Sequence, residues 1–213
     1  MLYTKETALK VAEQLLQIKA IKLSVDKPFT WASGWKSPIY CDNRLSLSYP
    51  KVRNYIRREL VSAVVEKFGE PDVIAGVATG AIAWGALVAQ DLGLPFVYVR
   101  ASAKGHGLAN MIEGHIESGQ SAVVVEDLIS TGMSSLKAVS ALRDAGCKVN
   151  GMVSIFTYGF EEAEKNFKND KCRLVSLSDY ESLIKQAVIS QYIKEGNIKS
   201  LAAWRNNPSV WGV

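Results

Sequence analysis

Cysteine is scarce in this chain, with three residues in 213. Cys41, Cys147 and Cys172 are odd in number and widely spaced, and no metal-ligand spacing involves them. That argues against a disulfide framework or a cysteine metal centre, and the expectation is a reduced, cytoplasmic setting. Histidine is scarcer still, at two residues, His106 and His115. Charge excess is small: Lys+Arg 25 against Asp+Glu 21 leaves +4, too mild to argue for nucleic acid, though compatible with a polyanionic small substrate. Lys5, Glu6, Lys10 and Glu13 interrupt the N-terminal apolar residues, so neither a signal peptide nor a membrane span is read there. Repeats, low-complexity runs and an interdomain linker are not found. No GxGxxG dinucleotide fingerprint occurs either. The stretch 114–121 approaches a phosphate-binding P-loop, but Gln120 stands in place of its lysine and a strand follows rather than precedes it. A nucleotide hydrolase or a dehydrogenase is therefore disfavoured.

What remains is an ordinary soluble composition, 48% hydrophobic and 22% charged, with length for one sizeable core. Residues 4–21 read as an amphipathic helix marked by Leu9, Ala12, Leu15 and Leu16. A second helix starts near Pro50, with Val52, Tyr55, Ile56, Leu60, Val64 and Phe68 on one face. Between them, 29–40 reads as short strands and turns broken by Gly34 and Pro38. Apolar strands are expected at 73–78, 95–99, 122–125, 151–156 and 173–177, with helices after the first and third. Such alternation predicts an α/β fold with a mainly parallel sheet flanked by helices. One domain is expected, with N-terminal helices and a small hood over about 1–70, an α/β core at 71–178 and a helical segment at 179–213 that turns irregular around Asn206-Asn207-Pro208.

The run 123–135 carries the most chemistry. Val123, Val124 and Val125 lead into Glu126-Asp127, then Leu128-Ile129-Ser130-Thr131-Gly132-Met133-Ser134-Ser135, after which Leu136, Val139 and Leu142 take up helical spacing. A buried strand would deliver two carboxylates to its C-terminal end, and a hydroxyl-rich turn would follow at a helix N-terminus. That terminus attracts a phosphate, whereas the carboxylates suit sugar hydroxyls beside it or a bridging metal. A ribose 5'-phosphate satisfies both demands. Acidic residues that merely cap the next helix, or a Rossmann-like contact to a nucleoside ribose, are the competing explanations.

This run resembles the phosphoribosyl pyrophosphate (PRPP) motif of the type I phosphoribosyltransferases. Three further blocks bring the chain close to the orotate-using branch of that family. They are 29–40, with its Ser33-Gly34-Trp35-Lys36-Ser37-Pro38 core, Gly76-Val77-Ala78-Thr79-Gly80, and Arg100-Ala101-Ser102-Ala103-Lys104-Gly105-His106-Gly107. The resemblance implies the type I phosphoribosyltransferase fold with an N-terminal hood. It also implies Mg²⁺-dependent transfer of a phosphoribosyl group from PRPP to orotate in pyrimidine nucleotide synthesis. Mg²⁺ would be bound mainly through PRPP, and no protein ligand to it is assigned.

Residue by residue, Glu126 and Asp127 would hold the ribose hydroxyls, while Leu128, Ile129 and Ser130 to Ser134 would line the PRPP site and cradle the 5'-phosphate. Thr79 and Gly80 would meet the pyrophosphate; some relatives carry a lysine where Gly80 falls, so backbone groups and Thr79 must serve here. The glycine-spaced loop 100–114 brings Lys104, Arg100 and His106, all expected on PRPP and in catalysis, with Lys104 foremost, because cations over the departing pyrophosphate stabilise its developing charge. A solvated basic loop is the bland alternative. In the family this loop works in the neighbouring subunit's site, which implies a homodimer. Many relatives have a second lysine where Ala101 stands.

Orotate is a planar anion needing an apolar face and donors. Ser130, Phe29, Lys36 and Tyr40 are the candidates, although the lysine and arginine of some relatives at Ala32 and near Tyr158 are missing. Phe29, Trp31 and Trp35 could equally form an aromatic cluster anchoring the hood, and that is expected of at least one of them. His115 is taken as structural. Two rivals share the fold: a transferase for another base, disfavoured by the Lys104-x-His106-Gly107 loop, and a PRPP-responsive regulator with a basic helix at Arg53, Arg57 and Arg58. That helix reads better as a packed element with a solvated face.

Overall fold

The computed structural model describes residues 1–31, 34–102 and 111–211. A six-stranded sheet forms the middle of the molecule, in spatial order β10-β9-β8-β5-β6-β7. Its strands are β5 (Val73–Val77), β6 (Phe96–Val99), β7 (Ile112–Glu113), β8 (Ser121–Ile129), β9 (Lys148–Thr157) and β10 (Leu174–Asp179). All neighbours run parallel except the β6–β7 pair. The buried Val/Ile/Ala runs explain the parallel arrangement, since such strands are covered on both faces. The helices α1 (Lys5–Gln17), α2 (Pro50–Phe68), α3 (Ile82–Leu92), α4 (Met133–Asp144), α5 (Glu161–Asn169), α6 (Tyr180–Ile189) and α7 (Ile198–Asn206) supply that cover.

Sequence order reverses direction between β5 and β8: β6 lies on one side of β5, and β9 and β10 lie beyond β8. Ligands in open α/β sheets bind beyond the strand C-termini at such a switch point. The last β5–β8 pair is Gly76 with Val125, whereas β8 continues alongside β9 to the pair Ile129 with Thr157. Glu126 and Asp127 therefore project past the end of β5 while still held in a ladder. The expected strand 122–125 is too short for this reason: the long β9 keeps the acidic pair in the sheet.

Other elements depart from expectation in similar ways. α1 stops at Gln17 rather than Ile21, because Ile21 begins β1 (Ile21–Leu23), which pairs antiparallel with β4 (Ile39–Cys41). β2 (Phe29–Thr30) and β3 (Lys36–Ser37) form a second antiparallel pair, completing the hood. The 100–114 segment is not loop throughout, since Ile112–Glu113 adds the antiparallel edge strand β7 and Met111 is buried beneath it. α5 is a helix that the apolar pattern does not predict. Its Ala163 and Phe167 are buried four residues apart on an otherwise charged helix.

α2 buries Val52, Ile56, Leu60 and Val64. Its arginines are engaged: Arg57 pairs with Asp91 at 2.9 Å, Arg53 donates to the Leu47 carbonyl at 3.1 Å, and Arg58 lies over the Tyr55 ring at 5.2 Å. His115 is 86% exposed beside Glu117, so the structural role expected of it is not what its surroundings offer. Among the described residues, no helix is long and apolar enough to cross a membrane.

Trp204 of α7 is fully buried against Trp31 of the hood, Tyr158 and Phe160 after β9, and Tyr180 of α6, with ring centroids 5.4–5.7 Å apart. Trp31 also donates its indole N–H to the Ile39 carbonyl at 3.0 Å. The hood is thus anchored to the sheet by aromatic packing through Trp31.

Candidate active site

A cleft of about 430 Å³ opens where β5 and β8 end. Its lining joins Thr79 and Gly80 from the turn after β5, Glu126 and Asp127 from β8, Ser134 from the start of α4, and the hood residues Asp42 and Arg44. The turn 78–81 needs its small residues. A Cβ added at Gly80 would overlap the Asp127 carboxylate, and one at Gly76 would lie 2.8 Å from the Ala81 carbonyl oxygen. The Ala78–Thr79 peptide is cis.

The acidic pair is asymmetric. Glu126 is only 5% exposed, and both its oxygens are occupied: Oε2 accepts from Ser135 Oγ at 2.7 Å and Oε1 from the Asp127 backbone N–H at 2.9 Å. Asp127 is half-buried and faces Gly80. Burial, and then the Asp127 charge, push the Glu126 carboxyl well above the ordinary carboxylate range. Burial raises Asp127 as well, opposed by its hydrogen bond with Glu126 and by the Arg44 charge.

A group with a raised folded pKa contributes stability that is complete below its unfolded pKa and disappears as pH climbs through the folded value. Glu126 should therefore make the ligand-free protein less stable as pH rises above 4.5, its ordinary value. Thermal midpoints recorded from about pH 5 to about pH 8 should fall more steeply for the native protein than for Glu126→Gln. Equal slopes would show that Glu126 is not the group responsible.

After the pair, Ile129 turns its side chain into the core, and its carbonyl accepts from the Tyr158 N–H at 3.0 Å. Leu128 lines the cleft, Ser130 is half-buried, and the Thr131 carbonyl accepts from Asn166 Nδ2 at 3.0 Å. Gly132 is left-handed (φ 79°) and no side chain caps α4 there. A Cβ on Gly132 would also lie 2.5 Å from the Phe167 ring. Met133 and Ser134 are exposed at the first turn of α4, which leaves backbone N–H groups there for an anion. A second cavity, of about 590 Å³, adjoins this turn between Thr131, Trp35 and Arg205.

Phe29, Lys36, Tyr40 and Arg100, the other candidates among the described residues, are not in the cleft lining. Phe29 and Tyr40 touch on the hood with ring centroids 5.7 Å apart, and Lys36 donates to Thr30 Oγ1 at 2.9 Å. Arg100 sits at the C-terminal end of β6, its backbone N–H on the Met111 carbonyl at 2.8 Å and its guanidinium 3.5 Å from Glu113. Lys104 and His106, with Ala32 of the hood, are outside the described residues. Among the described residues, no group of three or more His, Cys, Asp or Glu could hold a metal ion.

Sequence pattern alone does not single out the hood residues beside β8. Asn43 donates its amide to the Asp127 carbonyl at 2.6 Å, bridging 84 positions, and Asp42 and Arg44 flank it. The signal available was the polar run Asp42-Asn43-Arg44 directly after the hood block, richer in charge than a simple turn needs.

A family model described as "Phosphoribosyl transferase domain" matches residues 52–187. The orotate phosphoribosyltransferase of Porphyromonas gingivalis is 55% identical over 203 residues, covering 95% of this chain and 97% of its own. The chain belongs to the orotate phosphoribosyltransferase family. In three dimensions it is similar to the orotate phosphoribosyltransferase from Aeropyrum pernix, with a TM-score of 0.74, 29% identity, and 83% of this chain and 97% of that one covered. The UMP synthase of Leishmania donovani has the same fold at a TM-score of 0.75 and 24% identity. That match spans 92% of this chain but only 42% of the Leishmania chain. The type I phosphoribosyltransferase fold, with its mostly parallel sheet, is the one expected from the sequence motifs.

Proposed function

We infer that this protein is an orotate phosphoribosyltransferase, transferring the 5-phosphoribosyl group of PRPP to N1 of orotate in pyrimidine nucleotide synthesis. The products are orotidine 5'-monophosphate and pyrophosphate. The observation that carries this reading is the 55% identity to an orotate phosphoribosyltransferase across 95% of the chain. The cleft at the sheet's switch point supports it.

The C1–O bond to the diphosphate breaks with its electron pair leaving on the diphosphate. N1 of orotate, its proton passing to water, supplies the pair for the new N–C bond. Asp127 and Glu126 hold the ribose hydroxyls, with Glu126 kept rigid by Ser135. The uncapped start of α4 and the hydroxyls of Ser130, Thr131 and Ser134 receive the 5'-phosphate. Thr79 and the Gly80 backbone meet the diphosphate, and Lys104, Arg100 and His106 stabilise its growing charge. Ser130, with Phe29, Lys36 and Tyr40 of the hood, contacts orotate. Mg²⁺ would be held mainly by PRPP and water, as suits a cation slow to dehydrate, and would supply positive charge against the diphosphate; Asp127 is an oxygen donor of the right type in the cleft.

The acting unit is a homodimer in which the 100–114 loop serves the partner's cleft. Three free thiols fit a reducing cytoplasm. The chain works as one domain, with hood and helices over about 1–70, the core at 71–178 and the C-terminal segment at 179–213. Purified protein mixed with PRPP, orotate and Mg²⁺ should deplete orotate absorbance and form orotidine 5'-monophosphate. No turnover, despite PRPP binding, would overturn the choice of base.

A further inference from the structure

A diphosphate entering the cleft would meet the carboxylates of Asp42, Glu126 and Asp127, and the turn 78–81 contains no cation to offset them. Gly80 has no room to supply one, because the Asp127 carboxylate occupies the space a Cβ would need. Among the described residues that line the cleft, Arg44 is the one cation.

Its placement is built rather than incidental. Asp42 grips the guanidinium side-on, with Nε 2.7 Å from Oδ1 and Nη2 3.0 Å from Oδ2. The same Oδ1 accepts the Arg44 backbone N–H at 3.2 Å, fixing the pair at the head of the 3₁₀ turn Asn43–Ser48. Asn43 ties that turn to the Asp127 carbonyl, so the cation is held in register with the ribose-binding carboxylates. Arg44 remains 60% exposed, whereas Asp42 is 18% exposed. A side-on carboxylate takes one edge of the fork and leaves Nη1 for a second anion. The Arg44 charge also reaches Asp127, whose carboxyl it draws downward.

Resting on the transferase reading, we propose that Arg44 binds the diphosphate of PRPP across the cleft from Thr79 and Gly80, with Asp42 as its positioning residue. A guanidinium matches phosphate oxygens in geometry and carries its charge at every working pH.

Arg44→Gln, with Arg44→Lys beside it, tests this in the full-length protein. Four quantities would be compared with the native protein: KM for PRPP, KM for orotate, affinity for inorganic pyrophosphate, and affinity for orotidine 5'-monophosphate, which has no diphosphate. Loss of a charge-assisted contact should weaken PRPP and pyrophosphate about 10- to 100-fold in Arg44→Gln. Arg44→Lys should keep part of that affinity. Orotate and orotidine 5'-monophosphate should change less than about twofold. Unchanged pyrophosphate affinity would overturn the proposal, and so would equal weakening of orotidine 5'-monophosphate, which would mean that Arg44 only supports the hood. If Arg44→Gln fails to fold, the pyrophosphate shift in Arg44→Lys decides. Failure of the native protein to make orotidine 5'-monophosphate would instead sink the transferase reading, and direct pyrophosphate binding would still decide the role of Arg44.

Discussion

Trp204→Ala is expected to destabilise the protein by about 3–5 kcal/mol, the range for removing a buried large aromatic ring. Trp204 is fully buried at the centre of a ring of Trp31, Tyr158, Phe160 and Tyr180. Four elements meet on this one side chain, so no single neighbour can collapse into the space. α7 is only nine residues long, too short to persist in water without its packed face. Its release would also remove the Arg205 hydrogen bond to the Gly159 carbonyl and leave Trp31 of the hood without its edge-on partner. For a protein of this size the loss corresponds to a fall in Tm of about 6–20 °C. Trp204→Phe should cost less than half as much, because the ring contacts largely survive and the indole N–H has no partner to lose. Urea titration of the three proteins gives the comparison. A cost below about 1 kcal/mol for Trp204→Ala would mean that α7 does not brace the hood.

The legible parts of this fold were those in which local pattern and tertiary role agree. Val123, Val124 and Val125 read as a buried parallel strand because both faces of the sheet are covered there. The face of α2 through Val52, Ile56, Leu60 and Val64 could be read for the same reason. The acidic pair reads as the C-terminal limit of a strand spanning 122–125, because carboxylates are poor strand residues. Only the length of β9 alongside, a non-local fact, keeps them in the ladder. α5 is not legible because two buried residues among charged ones are too few to show a helical period. The edge strand β7 is two residues long and exists only by pairing with β6. At the site, the β8 motif announced itself through a contiguous run. Asp42, Asn43 and Arg44 did not, because their importance lies in a contact with β8 that chain folding alone creates.

Lys104→Ala should lower kcat about 10²- to 10³-fold, equivalent to about 2.7–4 kcal/mol, the usual cost of deleting one group aimed at developing charge. The described walls of the cleft explain why a loop cation should matter so much. Three carboxylates and a single arginine line it, so a departing diphosphate finds little positive charge there. Charge supplied from the loop would act mainly as the C1–O bond breaks, and the loss should fall on kcat more than on the KM for PRPP. A thermal midpoint close to the native value would show that the loss is one of chemistry and not of folding. Mixing experiments extend the test to the dimer. Asp127→Asn damages the cleft but not the loop, and Lys104→Ala does the reverse. If each loop serves the partner's cleft, a mixed dimer contains one site built wholly from native parts. Equal mixing makes about half of the dimers mixed, so about one quarter of native turnover should return from two nearly inactive proteins. No recovery after verified subunit exchange would place the loop over its own cleft. An undiminished kcat in Lys104→Ala would remove this lysine from the chemistry, leaving Arg44, Arg100 and His106 to carry the diphosphate's charge.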